Sequence, residues 1–266
     1  GPGYRAPSDR VNIAGIGVGG VGKTYLEGVN SEHIMALCDV DLAFAQPVFH
    51  TYPEAKQYQD FRIMLDELPE IDAVVIGTPD HSHAVIAMEA MERGKHVYCA
   101  KPLTRTMGES RRMLESARKT GVATQMSTQR NAENSHRKIA EWIEQGAIGD
   151  VHEVHIWSNR PIWPQGVERP RESPSCPGTL DWDLWIGPAV WRPYHPAYHP
   201  FKFRGWYDFG SGALGDMGCH HFDPVFRALK LKTPHTVHAS STRLWDETFP
   251  VASIVHYDFP ARGAMP

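Results

Sequence analysis

Val11 to Gly22, VNIAGIGVGGVG, is a short apolar run that dissolves into glycine, and its reading decides the fold class. Such a run reads as a strand feeding a tight turn, since glycine enters the left-handed backbone region at no steric cost. Gly15-Ile16-Gly17-Val18-Gly19-Gly20 satisfies G-x-G-x-x-G, the turn between the first strand and first helix of a dinucleotide-binding unit. In that frame Gly15 makes the turn, Gly17 lets the backbone approach a pyrophosphate and Gly20 packs the helix closely. The N–H groups opening the helix, from Val21 onward, face the phosphates. Alone the motif is weak, because glycine-rich turns occur in many folds.

Its surroundings strengthen it. The next apolar run, Ile34 to Cys38, ends in Asp39, 19 residues beyond Gly20, where an acid that hydrogen-bonds the adenine ribose is expected. A carboxylate there repels a 2′-phosphate, and Val40-Asp41 offers no arginine to receive one, which favours NAD over NADP. Asp after a strand is also a common helix N-cap, and both readings stand for Asp39. Phe61, Met64, Leu65 and Leu68 fall at helical spacing, and Asp72 to Gly77, DAVVIG, reads as a strand buried on both faces. Thr78-Pro79-Asp80 stops it and caps a helix from about His81 to Arg93. His96 to Cys99 is the next strand, with Lys101 at its carboxyl end, where ligands of open α/β sheets bind. A helix over about 108–120 and a last strand over 122–126 complete a first domain of residues 1–127.

Residues 128–266 form the second domain. A helix over about 134–145 carries an apolar stripe of Ile139, Trp142 and Ile143, and Val151 to Ser158 alternates like a half-buried strand. Residues 159–209 are rich in proline and read as one long loop, with six of the eight tryptophans in or beside it. Aromatic faces suit the C–H faces of sugars and polyols, and they equally suit pinning a loop to its domain. Asp223 reads as the N-cap of a short helix opening at Pro224, and 236–243 and 251–259 read as strands.

The bulk numbers exclude other classes. A formal net charge of −4 argues against a nucleic-acid partner, which demands a basic footprint. No apolar run approaches the roughly 20 residues of a membrane span. Cys38, Cys99, Cys176 and Cys219 show no disulfide or zinc spacing. His81-x-His83 and His220-His221 with Asp223 are metal-capable but match no helical His-x-x-x-His or Cys/His pattern, so no metal is assigned.

With Gly15-x-Gly17-x-x-Gly20, Asp39, Thr78-Pro79-Asp80-His81-x-His83, Lys101-Pro102 and Asp216-x-x-x-His220, the chain resembles the glucose–fructose oxidoreductase / inositol dehydrogenase / MocA family. The resemblance implies an N-terminal Rossmann domain and a C-terminal α/β domain with a mostly antiparallel open sheet that often carries a subunit contact, hence a homo-oligomer. It implies NAD(P)-dependent hydride transfer at a hydroxyl-bearing carbon of a sugar, glycoside or cyclitol. Lys101 matches the lysine of the family's Glu-Lys-Pro motif, with Ala100 where the glutamate usually stands, and Asp216 and His220 match its aspartate and histidine. These three are the catalytic candidates.

Cofactor contacts are expected from Gly15, Gly17, Gly19, Gly20, Val21, Asp39, Thr78, Pro79, His81, His83 and Lys101. Substrate contacts are expected from Lys101, Arg130, Trp163, Arg204, Tyr207, Asp216, His220 and His221. The Trp-rich segment looks like a bacterial subgroup often exported by the twin-arginine route, which leaves cytoplasm and periplasm both open. The chain stops short of typical members, so strands of the second sheet are expected to be missing. Two further readings stay open: an NAD-retaining glycosidase working by transient oxidation and elimination, and a non-catalytic nucleotide- or sugar-binding module.

Overall fold

The computed structural model of the protein describes residues 9–262, apart from the side chains of residues 129 and 130. Six strands form one parallel sheet: β1 Asn12–Ile16, β2 His33–Cys38, β3 Lys56–Tyr58, β4 Ala73–Ile76, β5 His96–Ala100 and β6 Thr124–Ser127. Their spatial order is β3-β2-β1-β4-β5-β6, the doubly wound arrangement whose ligand crevice opens where the order reverses, outside β1 and β4. Ile16 pairs with Cys38 on one side and Ile76 on the other, so these strands end level with one another. Gly17, Asp39, Gly77 and Lys101 each directly follow the last residue of their strand.

Burial on both faces explains the unbroken apolar strand sequences. One face packs Ala14, Ile16, Val74, Ile76 and Cys99 with Ala87 and Met91, and the other packs Ile13, Leu37 and Val75 with Leu26, Val48 and Phe49. Those partners come from helices α1 Lys23–Gly28, α2 Leu42–Thr51 and α4 His83–Glu92, while α3 Phe61–Glu67 and α5 Met107–Thr120 complete the crossovers. Local chemistry sets the helix ends. Asp41 and Asp60 accept the N–H groups of Phe44 and Arg62, and Thr106 with Glu109 forms a capping box at α5. Gly121 then stops α5 in the left-handed region at φ 70°.

Packing divides the chain into two compact units, and the first takes in 170–203 and 208–210 as well as 1–127. The long Pro- and Trp-rich segment is therefore ordered, and it includes the short helix α7 Trp182–Ile186. Trp182 and Trp185 stack at 4.6 Å and 10°, Phe209 meets Trp185 edge-on, and the Arg192 guanidinium lies 4.9 Å from the Phe209 ring centroid. With 8% and 3% of their surface exposed, Trp182 and Trp185 pin the segment rather than offer a face to a sugar.

The second unit comprises 128–169, 204–207 and 211–266. It contains α6 Asn134–Glu144, α8 Gly212–Ala228 and the antiparallel pair β7 Thr236–Ser241 and β8 Ser253–Asp258, with His238 opposite His256. Two expectations need correction. Residues 151–158 are not a strand, because an alternating sequence becomes one only where its N–H and C=O groups find a ladder, and β7 and β8 pair with each other. Asp223 is not an N-cap, since α8 starts eleven residues earlier at Gly212 and runs through Pro224, forgoing the one intrahelical bond that Pro224 has no N–H to make. In α6, Ile139 and Trp142 are exposed. No helix among the described residues is long and apolar enough to cross a membrane.

Candidate functional site

β1 enters its turn at Gly17, which stands at φ 76°, ψ 60° and donates its N–H to the Cys38 carbonyl at 2.8 Å. A Cβ on Gly17 would lie 2.6 Å from the Thr78 nitrogen, one on Gly19 would lie 2.4 Å from the Phe44 ring, and one on Gly22 would lie 2.2 Å from the Gly17 carbonyl oxygen. Gly20 meets only one Phe44 atom, at 3.8 Å. The close packing expected of Gly20 therefore falls to Gly22, which backs onto Gly77 of the turn after β4. The tight turn likewise falls to Gly17, while Gly15 stays inside β1, where Leu26 approaches it. The frame that fits is Gly17-Val18-Gly19-Gly20-Val21-Gly22. Two overlapping frames satisfy the same pattern, and only the position of β4 separates them. Val21 is exposed beside the turn.

Asp39 is buried at the end of β2, and its two carboxylate oxygens accept the N–H groups of Gly19 at 2.8 Å and Asp41 at 3.0 Å. Burial raises its pKa, although both backbone donors pull it down. Asp39 thus ties the glycine turn to the end of β2 and is not the cap; Asp41 caps α2 instead. Asp41 also receives His199 Nε2 at 2.9 Å, and the backbone N–H groups of Leu42 and Asp181 donate to the carbonyls of Thr179 and Val40, respectively. The segment 177–199 is in this way fastened beside Asp39, which no local pattern announced.

At the ends of β4 and β5 the expected residues gather. Thr78 and Pro79 follow β4, and Thr78 Oγ1 is buried with no hydrogen-bond partner among the described residues. Lys101 follows β5, half-buried, with its backbone N–H on Ser127 Oγ at 3.1 Å, and that hydroxyl shares a 2.7 Å hydrogen bond with Tyr25. Ala100 is buried against Ser127 of β6. His83 opens α4, its ring between the carbonyls of Pro102 and Thr78. His81 is buried with Nε2 2.9 Å from the Trp185 carbonyl, so it lies under the aromatic segment, turned to protein rather than to an open cleft.

Within the second unit, Asp216 and His220 lie one helical turn apart on one face of α8, with His221 on the adjoining face. Asp216 is buried and accepts Arg204 Nε at 3.3 Å, and the Arg204 guanidinium lies 5.8 Å from the Trp163 ring centroid. Trp163 Nε1 donates to Gln165 Oε1 at 3.1 Å, which fixes the indole. Four expected residues, Trp163, Arg204, Asp216 and His220, thus fall on one half-site. The Tyr207 ring lies edge-on to Phe249 at 4.5 Å. The side chain of Arg130 lies outside the described residues.

Residues 11–128 match the Gfo/Idh/MocA oxidoreductase family's NAD-binding Rossmann fold, and residues 143–248 match its C-terminal alpha/beta domain. The chain belongs to this family. Among curated Gfo/Idh/MocA relatives it is 28% identical to inositol 2-dehydrogenase of Salmonella typhimurium over 146 residues, 53% of this chain and 43% of that protein. It is 32% identical to levoglucosan dehydrogenase of Pseudarthrobacter phenanthrenivorans over 164 residues, 62% of this chain and 34% of that one. The matched part thus spans less than half the length of either relative. A solved structure of GenD2 from gentamicin A biosynthesis, in complex with NAD, shares the fold over 97% of this chain and 65% of its own, with a TM-score of 0.68 at 18% identity.

The family's NAD-binding Rossmann domain is present here, and the chain's own residues fit a dinucleotide. Gly17, Gly19 and Gly22 leave no room for a Cβ, as a turn that a pyrophosphate approaches closely requires, and Thr78 Oγ1 is a buried polar atom short of a partner. Sequence reading missed Gly22, Gly77, Phe44, Ser127 and Tyr25. Gly22 had a signal, the second overlapping glycine frame, whereas Tyr25 and Ser127 meet across 102 positions without any motif.

His81 makes stability depend on pH. Burial lowers its pKa to about 4, outweighing the Trp185 and Phe209 carbonyls. Between that value and the unfolded value near 6.5 the unfolded chain binds the extra proton, so stability falls as pH drops through this window, by about 3 kcal/mol in total. Urea unfolding at pH 7.5, 5.5 and 4.5 should show this slope, and His81→Gln should flatten it by that amount. An identical slope in the variant would remove His81 as its source.

Proposed function

We propose that this protein is an NAD-dependent oxidoreductase that moves a hydride between nicotinamide and a hydroxyl-bearing carbon of a sugar, glycoside or cyclitol. The observation that carries the reading is the Asp39 carboxylate, bonded to the glycine turn at the end of β2, in a chain of a family of NAD-binding oxidoreductases. Similarity to an inositol and a levoglucosan dehydrogenase supports the substrate class.

The turn formed by Gly17, Gly19 and Gly22 brings the pyrophosphate onto the backbone N–H groups of Gly20 and Val21, and Asp39 takes the adenine-ribose hydroxyls while repelling a 2′-phosphate. Thr78, Pro79 and the Lys101 turn wall the nicotinamide end. Bound NAD supplies the hydride acceptor. His220 takes the proton from the substrate hydroxyl, since an imidazole both accepts and returns a proton near neutral pH. Lys101 stabilises the developing alkoxide with its ammonium. Asp216, oriented by Arg204, holds a substrate hydroxyl, Arg204 and His221 line the substrate half, and the buried Trp163 backs the Arg204 guanidinium. Functionally, 1–127 serves the nucleotide and 128–266 the substrate. We further infer that β7 and β8 belong to a larger, mostly antiparallel open sheet and that this sheet joins subunits, which sedimentation will test.

The direct test is to denature purified protein, assay released nucleotide, and follow NADH on adding NAD with a panel of cyclitols, sugars and glycosides. NADH formed in proportion to substrate supports the reading. Glycoside cleavage without NADH points instead to internal redox cycling, and a protein that binds no nucleotide sinks the proposal. Asp39→Ala is expected to weaken NAD binding about 10- to 100-fold while leaving NADP binding little changed, an effect the size of one to two charge-assisted hydrogen bonds. Equal losses for both nucleotides would remove Asp39 from the ribose site.

A further inference from the structure

His83 is wholly buried at the start of α4, between the turns that follow β4 and β5. Its Nδ1 lies 2.8 Å from the Pro102 carbonyl oxygen and its Nε2 2.8 Å from the Thr78 carbonyl oxygen. A carbonyl oxygen only accepts, so both ring nitrogens must donate, and a ring with two N–H groups is an imidazolium. A neutral tautomer would press a nitrogen lone pair against one of the two oxygens at hydrogen-bond distance.

We propose that His83 is a positioning residue that fastens the Lys101-Pro102 turn to the Thr78-Pro79 turn through two charged N–H donors, and so fixes where Lys101 stands. The inference rests on the role given to Lys101 above. No other side chain replaces it. Asn and Gln carry both donors on one nitrogen and cannot reach in two opposite directions, and Lys or Arg would need more length than a ring that fills its space.

The surroundings support a cation at this point. The Asp80 carboxylate lies in the same turn, and Cys99 comes from β5. His81 also faces the ring, with Arg105 acting on His81 in turn. Burial opposes the charge, but Cys99, Asp80 and the Pro102 carbonyl outweigh it and push the pKa up to about 9. His81, by contrast, has one short carbonyl contact, its Nδ1 standing 3.3 Å from an oxygen that its own backbone N–H already uses, and it stays neutral. The raised value of His83 means that its contribution to stability is complete below about 6.5 and is lost as pH rises through about 9. Above that the clamp loses one donor and the two turns separate.

The test is a long-range proton–nitrogen spectrum of the intact, nitrogen-15-histidine-labelled chain at pH 8, with His83 assigned through bonds in the wild type so that no variant is needed. Both His83 nitrogens are expected to be protonated there, and a neutral ring overturns the proposal. A second arm uses His83→Gln. The variant should lose about 10²-fold in kcat, the usual consequence of displacing a reacting group by about 1 Å, with NAD affinity within about threefold. Its kcat profile should also lack the wild type's fall near pH 9. A folded H83Q with wild-type kcat and pH profile overturns the proposal. If H83Q does not fold, the wild-type spectrum decides alone. If the wild type turns over no sugar or cyclitol, the oxidoreductase reading fails, while the spectrum still judges His83.

Discussion

Gly22→Ala is expected to abolish measurable nucleotide binding and to destabilise the protein by about 3 kcal/mol or more, whereas Gly20→Ala costs about 1 kcal/mol. The reason is backbone against backbone. A Cβ on Gly22 would sit 2.2 Å from the Gly17 carbonyl oxygen and 3.1 Å from its carbon, and neither can rotate away as a side chain would. Relief requires the glycine turn to move off β4, which also pulls Gly17 from its hydrogen bond to Cys38. The same methyl group on Gly20 meets one edge atom of Phe44 at 3.8 Å, ordinary contact. Urea unfolding and titration of NAD against intrinsic tryptophan fluorescence measure both effects. The reverse ranking would restore the frame that starts at Gly15.

Lys101→Ala is expected to lower kcat by about 10²- to 10³-fold with NAD affinity within a few-fold, because a fixed cation near a developing alkoxide is worth about that much. Affinity should hold because the main-chain anchor survives: the Lys101 N–H stays on Ser127 Oγ, itself tied to Tyr25, so truncating the side chain leaves the turn in place. The split between kcat and binding is the informative readout. A variant that loses NAD binding and activity together would make Lys101 a cofactor ligand, and one that retains activity would remove it from the chemistry. Lys101→Arg should recover only part of the loss, since a planar guanidinium does not replace a compact ammonium.

Much of the nucleotide half was legible because its signals are local. An apolar run ending in glycines and DAVVIG before Thr78-Pro79 each encode a strand end within a few residues. The same kind of signal failed at residues 151–158, where alternation was present but no ladder was. It failed again at Pro224, where packing of α8 holds a helix that local rules would have ended. The tryptophans were ambiguous for a related reason. A Trp-rich sequence is equally suited to a ligand or to a core, and burial of Trp182 and Trp185 decides for the core.

By itself, the sequence determined the parallel sheet of the first unit, the glycine turn, the acid at the end of β2 and the family to which the chain belongs. Each is written in spacings of a few residues or in motifs read along the chain. Only the tertiary structure decided which of two overlapping glycine frames packs on β4, that residues 170–203 join the first unit, that Arg204 meets Asp216, and that His83 spans two turns. These depend on which backbone atoms come within a few ångströms of one another after folding. Partners such as Thr179 and Asp41, 138 positions apart, share no periodicity or motif that could announce them.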